Sequence, residues 1–336
     1  MNEKRALVAM VGDARREYVR EALLSWFREN ARDLPWRRTR DPWRVLVSEV
    51  MLQQIQVKRA VPFYERFVAR FPTVEALAEA PLAEAIRAWA DLGRYRRIVY
   101  LHRTARIVVE EYGGVLPTDP GELVKLPGVG PYTAGAVACF AFEGDVAFLD
   151  TNMRRVLQRV FFGVDPAMPA TEKDLLKVAV ELVPSGRGWE WNQALMETGA
   201  LLCTARKPLC GECPLREECS AHSGTLSTGW PQPERKEPVN KYEGSNRHYR
   251  GKVLAQLRED PRAGGEGITL RELGGRIRAD FDEGDARWLQ AAIESLCKDG
   301  LAKVSSDPAR PGIIAEERVP YGRPKEPPLD GKVSLP

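Results

Sequence analysis

Four cysteines lie close together in a chain that contains only six. They are Cys203, Cys210, Cys213 and Cys219, and their spacing is C-x6-C-x2-C-x5-C. Nothing in the sequence indicates export, and in a reducing compartment clustered cysteines bind metal more often than they form disulfides. Four thiolates in this short segment can surround an iron–sulfur cluster, and a structural zinc ion is the alternative. Zinc sites more often use two C-x2-C pairs, whereas this segment has one.

Two carboxylates occupy positions where an acid and an anion could act together. Glu49 lies in the apolar segment "LVSEVMLQQIQV", where a carboxyl group has either a raised pKa or an ion-pair partner. A desolvated glutamic acid can act as a general acid near neutral pH, and a half-exposed position on an amphipathic helix is the simpler alternative. Asp150 opens a predicted helix in "FLDTNMRRVLQRVFFG", and Asn152 follows. Helix capping alone would explain both of these residues.

A glycine-containing turn precedes an apolar helix in "LPGVGPYTAGAVACFAF", Leu126–Phe142. Gly128 and Gly130 allow the backbone to turn sharply and leave its amides pointing outward. Amides at a helix N-terminus bind phosphate without reading a base sequence. The pattern P-G-V-G between two predicted helices favours a helix-hairpin-helix over an ordinary turn.

Side chains suited to nucleic acid occur near these motifs. Gln53 and Gln54 carry amides that can form hydrogen bonds with base edges. The segments Arg32–Arg44 and Arg94–Arg106 hold five arginines each and could neutralise phosphates. Two solvated faces are the alternative, and the net charge of +3 does not separate the two interpretations.

The motifs lie on a chain that we predict to be mainly helical. Apolar residues recur at three- and four-residue steps through most of the first 220 residues. Residues 223–244 are rich in Gly, Pro, Ser and charge, which is typical of a linker. Three predicted helices and a hairpin at 302–319 then follow the order of a winged helix-turn-helix. The Pro-rich residues 320–336 are expected to form a loose tail.

No apolar run approaches the roughly 18 residues that a membrane span requires. The two remaining cysteines, Cys139 and Cys297, lie in apolar helical patterns and are expected to be buried thiols. We therefore expect a reducing compartment and no membrane partner.

Together the motifs resemble those of the helix-hairpin-helix DNA glycosylases, whose 4Fe–4S signature has the cysteine spacing given above. Within that superfamily the chain is similar to the MutY-type adenine DNA glycosylases. The shared motifs, in order, are "DLPWR", "VSEVMLQQ", "PGVGPYTAGAV", "DTN-R-V" and "ALMETGALLCT". The resemblance covers roughly residues 18–222. The remainder is similar to the short C-terminal segment of actinobacterial members, and the Nudix-like domain of many members is not recognisable.

The resemblance implies a mainly α, endonuclease III-like glycosylase fold. It would comprise N-terminal helices plus a 4Fe–4S cluster domain at 1–42 and 149–222, and a six-helix barrel with the hairpin at 43–148. A winged-helix-like α+β domain would follow at 245–319. The implied function is that of a monofunctional glycosylase of base excision repair, acting on adenine opposite 8-oxoguanine or guanine. The alternatives are a thymine or uracil mismatch glycosylase, or a DNA-binding iron–sulfur protein without catalysis.

The resemblance also implies roles for particular residues. Glu49 corresponds to the acid that protonates the adenine ring, and Asp150 to the carboxylate that stabilises the sugar cation. Asn152 and Tyr132 correspond to residues that position this pair. Tyr132 replaces the Schiff-base lysine of bifunctional relatives. The positions that correspond to the base pocket are Arg32, Leu34, Trp36 and Arg37.

The residues expected to contact DNA form a second group. They are Gln53, Gln54, Arg94, Gly128 and Gly130. Gln54 corresponds to a residue that enters the duplex, and Arg94 replaces a tyrosine that wedges beside 8-oxoguanine in many members. Ile55 replaces a threonine in the same region. Both departures concern recognition of the opposite base.

The partner implied by the resemblance is double-stranded DNA that contains a mismatch. We expect a monomer, cytoplasmic and associated with the nucleoid, and the sequence indicates no protein partner. The cysteines are expected to ligate a 4Fe–4S cluster that supports a DNA-contacting loop and takes no part in hydrolysis.

Overall fold

The structure is a computed structural model that describes residues 12–164, 170–225, 242–264, 266–282, 286–305 and 331–336. Most of the predicted linker and most of the predicted hairpin at 302–319 lie outside these ranges. The described part of the chain is mainly helical, as predicted.

The elements are mostly helices joined by short turns, and three short strands lie in the C-terminal part of the chain. The first helices are α1 (Asp13–Asn30), α2 (Pro42–Leu52), α3 (Val57–Arg70), α4 (Val74–Glu79), α5 (Leu82–Trp89) and α6 (Arg96–Tyr112). The next are α7 (Pro120–Leu123), α8 (Pro131–Phe140), α9 (Thr151–Leu157), α10 (Glu172–Leu182), α11 (Gly188–Leu201) and α12 (Ser220–Thr225). The last are α13 (Asn246–Glu259), β1 (Ile268–Thr269), α14 (Leu270–Ile277), α15 (Ala286–Lys298), β2 (Lys303–Ser305) and β3 (Lys332–Ser334).

The chain forms two compact units. The first unit comprises Met1–Val50 and Leu116–Arg235, and the second unit comprises Met51–Val115 and Lys236–Pro336. This division differs from the predicted domains, which kept 43–148 together. The boundaries at 42/43 and 148/149 were implied by the resemblance, whereas the units reflect which helices share a core.

The first unit is built around α11, which packs against α1, α8 and α9. Its core holds large apolar side chains such as Leu23, Leu24 and Trp191, all nearly inaccessible to solvent. Local signals fix the helix starts. Asp150 caps α9, and Thr171 and Asp174 form a capping box at α10.

The second unit buries aromatic side chains between short helices. Phe67 of α3 meets Trp89 of α5 edge to face, with 5.8 Å between ring centroids. Helix α4 packs against α6, and α13 packs against both α15 and α5. In the described ranges, no helix is long and apolar enough to cross a membrane.

The C-terminal strands form an antiparallel sheet in the order β1-β3-β2. Val333 in the central strand β3 pairs with Ile268 on one side and Val304 on the other. The prediction of a loose tail is therefore wrong for the last residues, because Val333 and Leu335 are buried apolar side chains. The winged-helix-like domain stays a prediction, since residues 306–330 lie outside the described ranges.

Candidate functional site

Glu49 is buried in α2, with only 3% of its surface exposed. Burial raises its pKa to about 7, although a hydrogen bond from Tyr132 opposes the rise. The negative charge of Asp150 adds to the rise, and the positive charge of Arg37 reduces it. A carboxyl group with this pKa is often protonated near neutral pH, as a general acid requires.

Tyr132 lies in the first turn of α8 and donates its hydroxyl hydrogen bond to Oε2 of Glu49 at 2.9 Å. Its ring packs edge-on against Phe148, with 5.5 Å between centroids. Burial raises the pKa of the Tyr132 hydroxyl well above its usual value, and the neighbouring carboxylates Glu49 and Asp150 add to this effect. Tyr132 is therefore a fixed, protonated donor to Glu49.

Asp150 is the N-cap of α9, as the capping interpretation predicted. Its Oδ1 accepts a hydrogen bond from the Met153 backbone N–H at 2.6 Å, and its Oδ2 accepts one from Asn152 Nδ2 at 2.9 Å. Burial raises the pKa of Asp150, whereas these hydrogen bonds favour the anion and oppose the rise. Capping thus does not exclude a chemical role. Asp150 lies close enough to Glu49 for its negative charge to raise the pKa of Glu49.

Two helical glycines allow the segment that carries Asp150 to approach its neighbours closely. A Cβ atom on Gly199 in α11 would lie 2.7 Å from the Cβ of Asn152, and one on Gly135 in α8 would lie 2.8 Å from the Cβ of Phe148. Real Cβ atoms essentially never come so close. Both glycines lie in motifs that the sequence analysis identified, but the sequence does not indicate which residues pack against them.

Glu197 in α11 holds two arginines of the predicted base pocket. It is 1% exposed and accepts hydrogen bonds from Arg32 Nε and Nη2 at 2.7 Å each, and from Arg37 Nη2 at 2.8 Å. Burial acts to raise its pKa, but the hydrogen bonds from the two arginines outweigh burial and hold it at about 2. Gln193 Oε1 accepts a further bond from Arg37 at 2.7 Å. The remaining pocket residues, Leu34 and Trp36, are buried.

Sequence reasoning missed Glu197 and Gln193. A usable signal was present, since two polar residues four positions apart in an apolar helix lie on the same face. The segment "NQALMETGALLCT" contains both. The partners could not be inferred, because Arg32 and Arg37 lie about 160 residues away in the chain.

The predicted hairpin lies between α7 and α8. Gly128 has φ +75°, in the left-handed region that favours glycine. Gly130 is the N-cap of α8 with φ −89°, and a Cβ there would meet no heavy atom within 4 Å in the described chain. Backbone conformation therefore explains glycine at 128, whereas Gly130 has open space beside it at the start of the helix.

The four clustered cysteines are free thiols that line one small pocket of the first unit. Apolar residues such as Val156, Leu202 and Leu215 complete its wall. Four cysteine thiolates that line one pocket are ligands of the kind that iron–sulfur clusters use.

Two arginines that sequence reasoning passed over fix the Cys203 segment. Arg155 donates to the carbonyl oxygens of Cys203 and Gly199 at 2.6 Å each, and to Asn152 Oδ1 at 2.8 Å. Arg159 Nη1 lies 3.3 Å from the Cys203 sulfur. Arg155 therefore connects the residue next to the Asp150 carboxylate with the cysteine segment through direct hydrogen bonds.

The other predicted DNA contacts lie in the second unit. Gln54 and Arg94 both have positive φ, at 60° and 50°. Such a conformation costs a non-glycine residue roughly 1–2 kcal/mol. Both residues line the same cleft, together with Gln53. The structure thus groups Gln53, Gln54 and Arg94 around one cleft of the second unit.

Arg97 connects these two turns through hydrogen bonds to their backbone. It is buried, and its Nη1 donates to the carbonyl oxygens of Met51 and Gln53 at 2.9 Å each. Its Nη2 donates to the carbonyl oxygen of Gly93 at 3.3 Å. Burial lowers its pKa to about 10, and the charge of Arg94 contributes. Arg97 was expected only as one of five arginines in a basic segment.

Two family models match the chain. Residues 47–181 match the HhH-GPD superfamily base excision DNA repair protein, and residues 203–219 match the iron-sulfur binding domain of endonuclease III. The helices, hairpin and cysteines therefore define a helix-hairpin-helix DNA repair fold with a 4Fe–4S binding module.

Individual relatives show to which family within this class the chain belongs. The adenine DNA glycosylase of Mycolicibacterium smegmatis is 42% identical over 292 residues, which cover 85% of this chain and 92% of the relative. That of Mycobacterium tuberculosis is 40% identical over 295 residues, covering 85% of this chain and 90% of the relative. A solved thermostable thymine-DNA glycosylase is similar at a TM-score of 0.60 and 32% identity, covering 64% of this chain and 99% of that chain. This chain belongs to the adenine DNA glycosylase family.

Proposed function

We propose that this protein hydrolyses the N-glycosidic bond of adenine that is mispaired with 8-oxoguanine or guanine in duplex DNA. Membership of the adenine DNA glycosylase family supports the base and the reaction. One structural observation carries the proposal. Glu49 has a pKa of about 7, while Asp150 accepts hydrogen bonds that favour its anion. Cleavage of a glycosidic bond needs this combination of an acid and an anion.

The proposed reaction assigns one step to each carboxyl group. Protonated Glu49 donates its proton to a ring nitrogen of adenine while the C–N bond breaks and its electron pair leaves with the base. The Asp150 carboxylate stabilises the positive charge that develops on the sugar. A water molecule then bonds to the sugar carbon and releases a proton to Glu49. Tyr132 has no amine, so no Schiff base forms and the strand stays intact.

The remaining predicted residues have supporting roles in this proposal. The target adenine must leave the base stack before reaction, and Arg32, Leu34, Trp36 and Arg37 would border its pocket. Gln53, Gln54 and Arg94 would contact the duplex near the mismatch. The backbone beside Gly128 and Gly130 would bind phosphate, which the open space at Gly130 permits.

The cluster is proposed to be structural. Cys203, Cys210, Cys213 and Cys219 would ligate it, and it would hold the segment that Arg155 connects to Asn152. No step of the hydrolysis uses it. Since the substrate would be chromosomal DNA, a cytoplasmic location with nucleoid association remains a prediction.

A glycosylase assay on defined duplexes tests the function. The panel contains adenine opposite 8-oxoguanine, guanine and thymine, plus thymine and uracil opposite guanine. We expect adenine release from the first two duplexes only, and strand breaks only after alkali treatment. Strand cleavage without alkali would contradict the monofunctional mechanism, and failure to release adenine from any duplex would overturn the proposal.

The second candidate is a thymine or uracil mismatch glycosylase. Similarity to the thermostable thymine-DNA glycosylase supports it. In the same panel, release of thymine or uracil opposite guanine with no release of adenine would establish this alternative.

A further inference from the structure

A cleft of about 840 Å³ opens in the second unit, beside the turns that carry Gln54 and Arg94. Its opposite wall comes from the C-terminal part of the chain, with Tyr242 and the first half of α13. The end of α15 completes the cleft with Ser295, Leu296 and Asp299. C-terminal residues therefore face the same space as residues that are predicted to contact DNA.

The cleft has an excess of positive charge. Its charged residues are one carboxylate and five arginines, namely Asp299 with Arg94, Arg96, Arg97, Arg247 and Arg250. Asp299 is shared by two of them, at 3.5 Å from Arg96 Nε and 2.5 Å from Arg250 Nη2. Arg97 is occupied by backbone carbonyl groups. A single carboxylate cannot neutralise this set, so the cleft favours an anion.

Two of these arginines have guanidinium groups available for a ligand. Within the described residues, neither Arg94 nor Arg247 makes an ion pair. Arg247 is exposed, and its guanidinium lies over the ring of Tyr242 at 5.8 Å from the centroid. Tyr242 itself is 57% exposed. Exposed arginine beside an exposed aromatic ring is an arrangement that nucleic acid binding sites use.

Several arginines elsewhere in the C-terminal part are neutralised. Arg258 pairs with Asp91, Arg276 Nη1 lies 2.8 Å from Asp260 Oδ2, and Arg278 Nη2 lies 2.9 Å from Asp280 Oδ2. Unlike these three arginines, Arg247 lies at the cleft and forms no ion pair with a carboxylate of the described residues.

We propose that this cleft extends the DNA-contacting surface of Gln53, Gln54 and Arg94, and that Arg247 on its C-terminal wall binds a backbone phosphate of the substrate duplex together with Arg94. The proposal rests on the proposed function, because that function makes duplex DNA the substrate. It assigns DNA contact to the start of α13. A winged helix would instead use its third helix, here α15, in the major groove. The two modes make different predictions for arginines on the two helices.

Arg247→Ala and Arg287→Ala form a matched pair, since each removes one exposed arginine, from α13 and from α15 respectively. Binding is measured by fluorescence anisotropy with a labelled duplex containing adenine opposite 8-oxoguanine, over a NaCl series from about 50 to 200 mM. For Arg247→Ala we expect affinity to fall about threefold to tenfold and the salt slope to decrease by about 1, because one phosphate contact is lost. Arg287→Ala should change neither quantity. Arg247→Lys keeps the charge and should preserve the slope.

The outcomes separate this proposal from the proposed function. If Arg247→Ala binds with unchanged affinity and salt slope, the cleft is not a DNA site. If Arg287→Ala alone weakens binding, α15 contacts DNA and the proposal is overturned. Base release is measured in parallel under single turnover with saturating enzyme. Weakened binding by Arg247→Ala, in a protein whose wild type releases no base, would support the cleft while overturning the glycosylase function.

Discussion

The carboxylate site of the first unit and the cleft of the second unit differ in how their charged groups are paired. In the first unit, Glu197 accepts hydrogen bonds from two arginines, and Glu49 accepts one from Tyr132. In the cleft of the second unit, arginines outnumber carboxylates, and Arg94 and Arg247 make no ion pair within the described residues. A buried charge is costly unless it is paired, whereas an exposed cation keeps its hydration.

This difference follows from what each region is proposed to do. Chemistry at one bond needs groups held in a fixed geometry, and buried hydrogen-bonded carboxylates supply it. Contact with a polyanion needs cations that an internal partner has not already neutralised. Substitutions in the first unit should therefore change rate and folding, and those in the cleft should change affinity and its salt dependence.

The largest expected effect concerns the two carboxylates of the first unit. Glu49→Gln removes the proton donor and Asp150→Asn removes the negative charge, so each should slow base release by about 10²–10⁴-fold. Both variants should bind duplex DNA nearly as well as wild type. Single-turnover rates with saturating enzyme test the first expectation and anisotropy tests the second. A near-normal rate for either variant would exclude its proposed role.

A large effect on stability is expected at Glu197. Glu197→Ala leaves Arg32 and Arg37 partly or fully buried without their carboxylate, and should cost about 3–5 kcal/mol of the free energy of unfolding. Glu190→Ala on the same helix is the matched control, because its ion pairs are more exposed and should contribute at most about 1 kcal/mol. Urea unfolding measures both values. Equal losses of unfolding free energy in the two variants would show that the buried ion pairs of Glu197 stabilise the protein no more than the exposed pairs of Glu190.

The same pair predicts a pH dependence of stability. The pKa of Glu197 is lowered to about 2, below its ordinary value near 4.5. Its contribution is therefore fully present above pH 4.5 and is lost as the pH falls towards 2. The difference in stability between wild type and Glu197→Ala should shrink over this range, and a difference that stays constant would contradict the pairing.

A smaller effect is expected at Arg97, the buried arginine of the second unit. Arg97→Lys keeps the positive charge, but a lysine ammonium lacks the planar set of donors with which the Arg97 guanidinium binds the carbonyl groups of both turns. We expect a loss of about 1–3 kcal/mol in stability, with weaker DNA binding because Gln54 and Arg94 are no longer held. Arg106→Ala on the same helix is the control, since the ion pair that Arg106 forms within the described residues is an exposed one with Glu110. Wild-type affinity and stability for Arg97→Lys would show that charge alone suffices there.

The smallest expected effect is a shift in a pH profile. If protonated Glu49 is the acid, the single-turnover rate of wild type should fall as pH rises through about 7. Tyr132→Phe removes a hydrogen bond that lowers the pKa of Glu49, so this descending limb should move to higher pH. An unchanged or downward-shifted limb would mean that Glu49 does not control the profile.

Much of the local structure could be predicted from the sequence, because apolar periodicity and helix capping depend on residues that are close together in the chain. The apolar periodicity predicted the helices, Asp150 was predicted at a helix start, and burial was one of two interpretations of the apolar neighbours of Glu49. The tail was mistaken for a loose segment because strand pairing between Val333, Ile268 and Val304 depends on residues up to 65 positions apart. Sequence pattern alone does not reveal such partners.

By itself, the sequence determined the residue types on which function depends: the four cysteines, the two carboxylates and the glycine turn. Only the tertiary structure decided which of them meet and in what state. The pKa of Glu49 depends on its burial and on Tyr132, 83 residues away. Whether Arg97 or Arg247 is available to a ligand depends on which hydrogen-bond acceptors the folded chain places beside its guanidinium. Burial and long-range pairing set the energy of a charged group, and neither is a property of its neighbours in sequence.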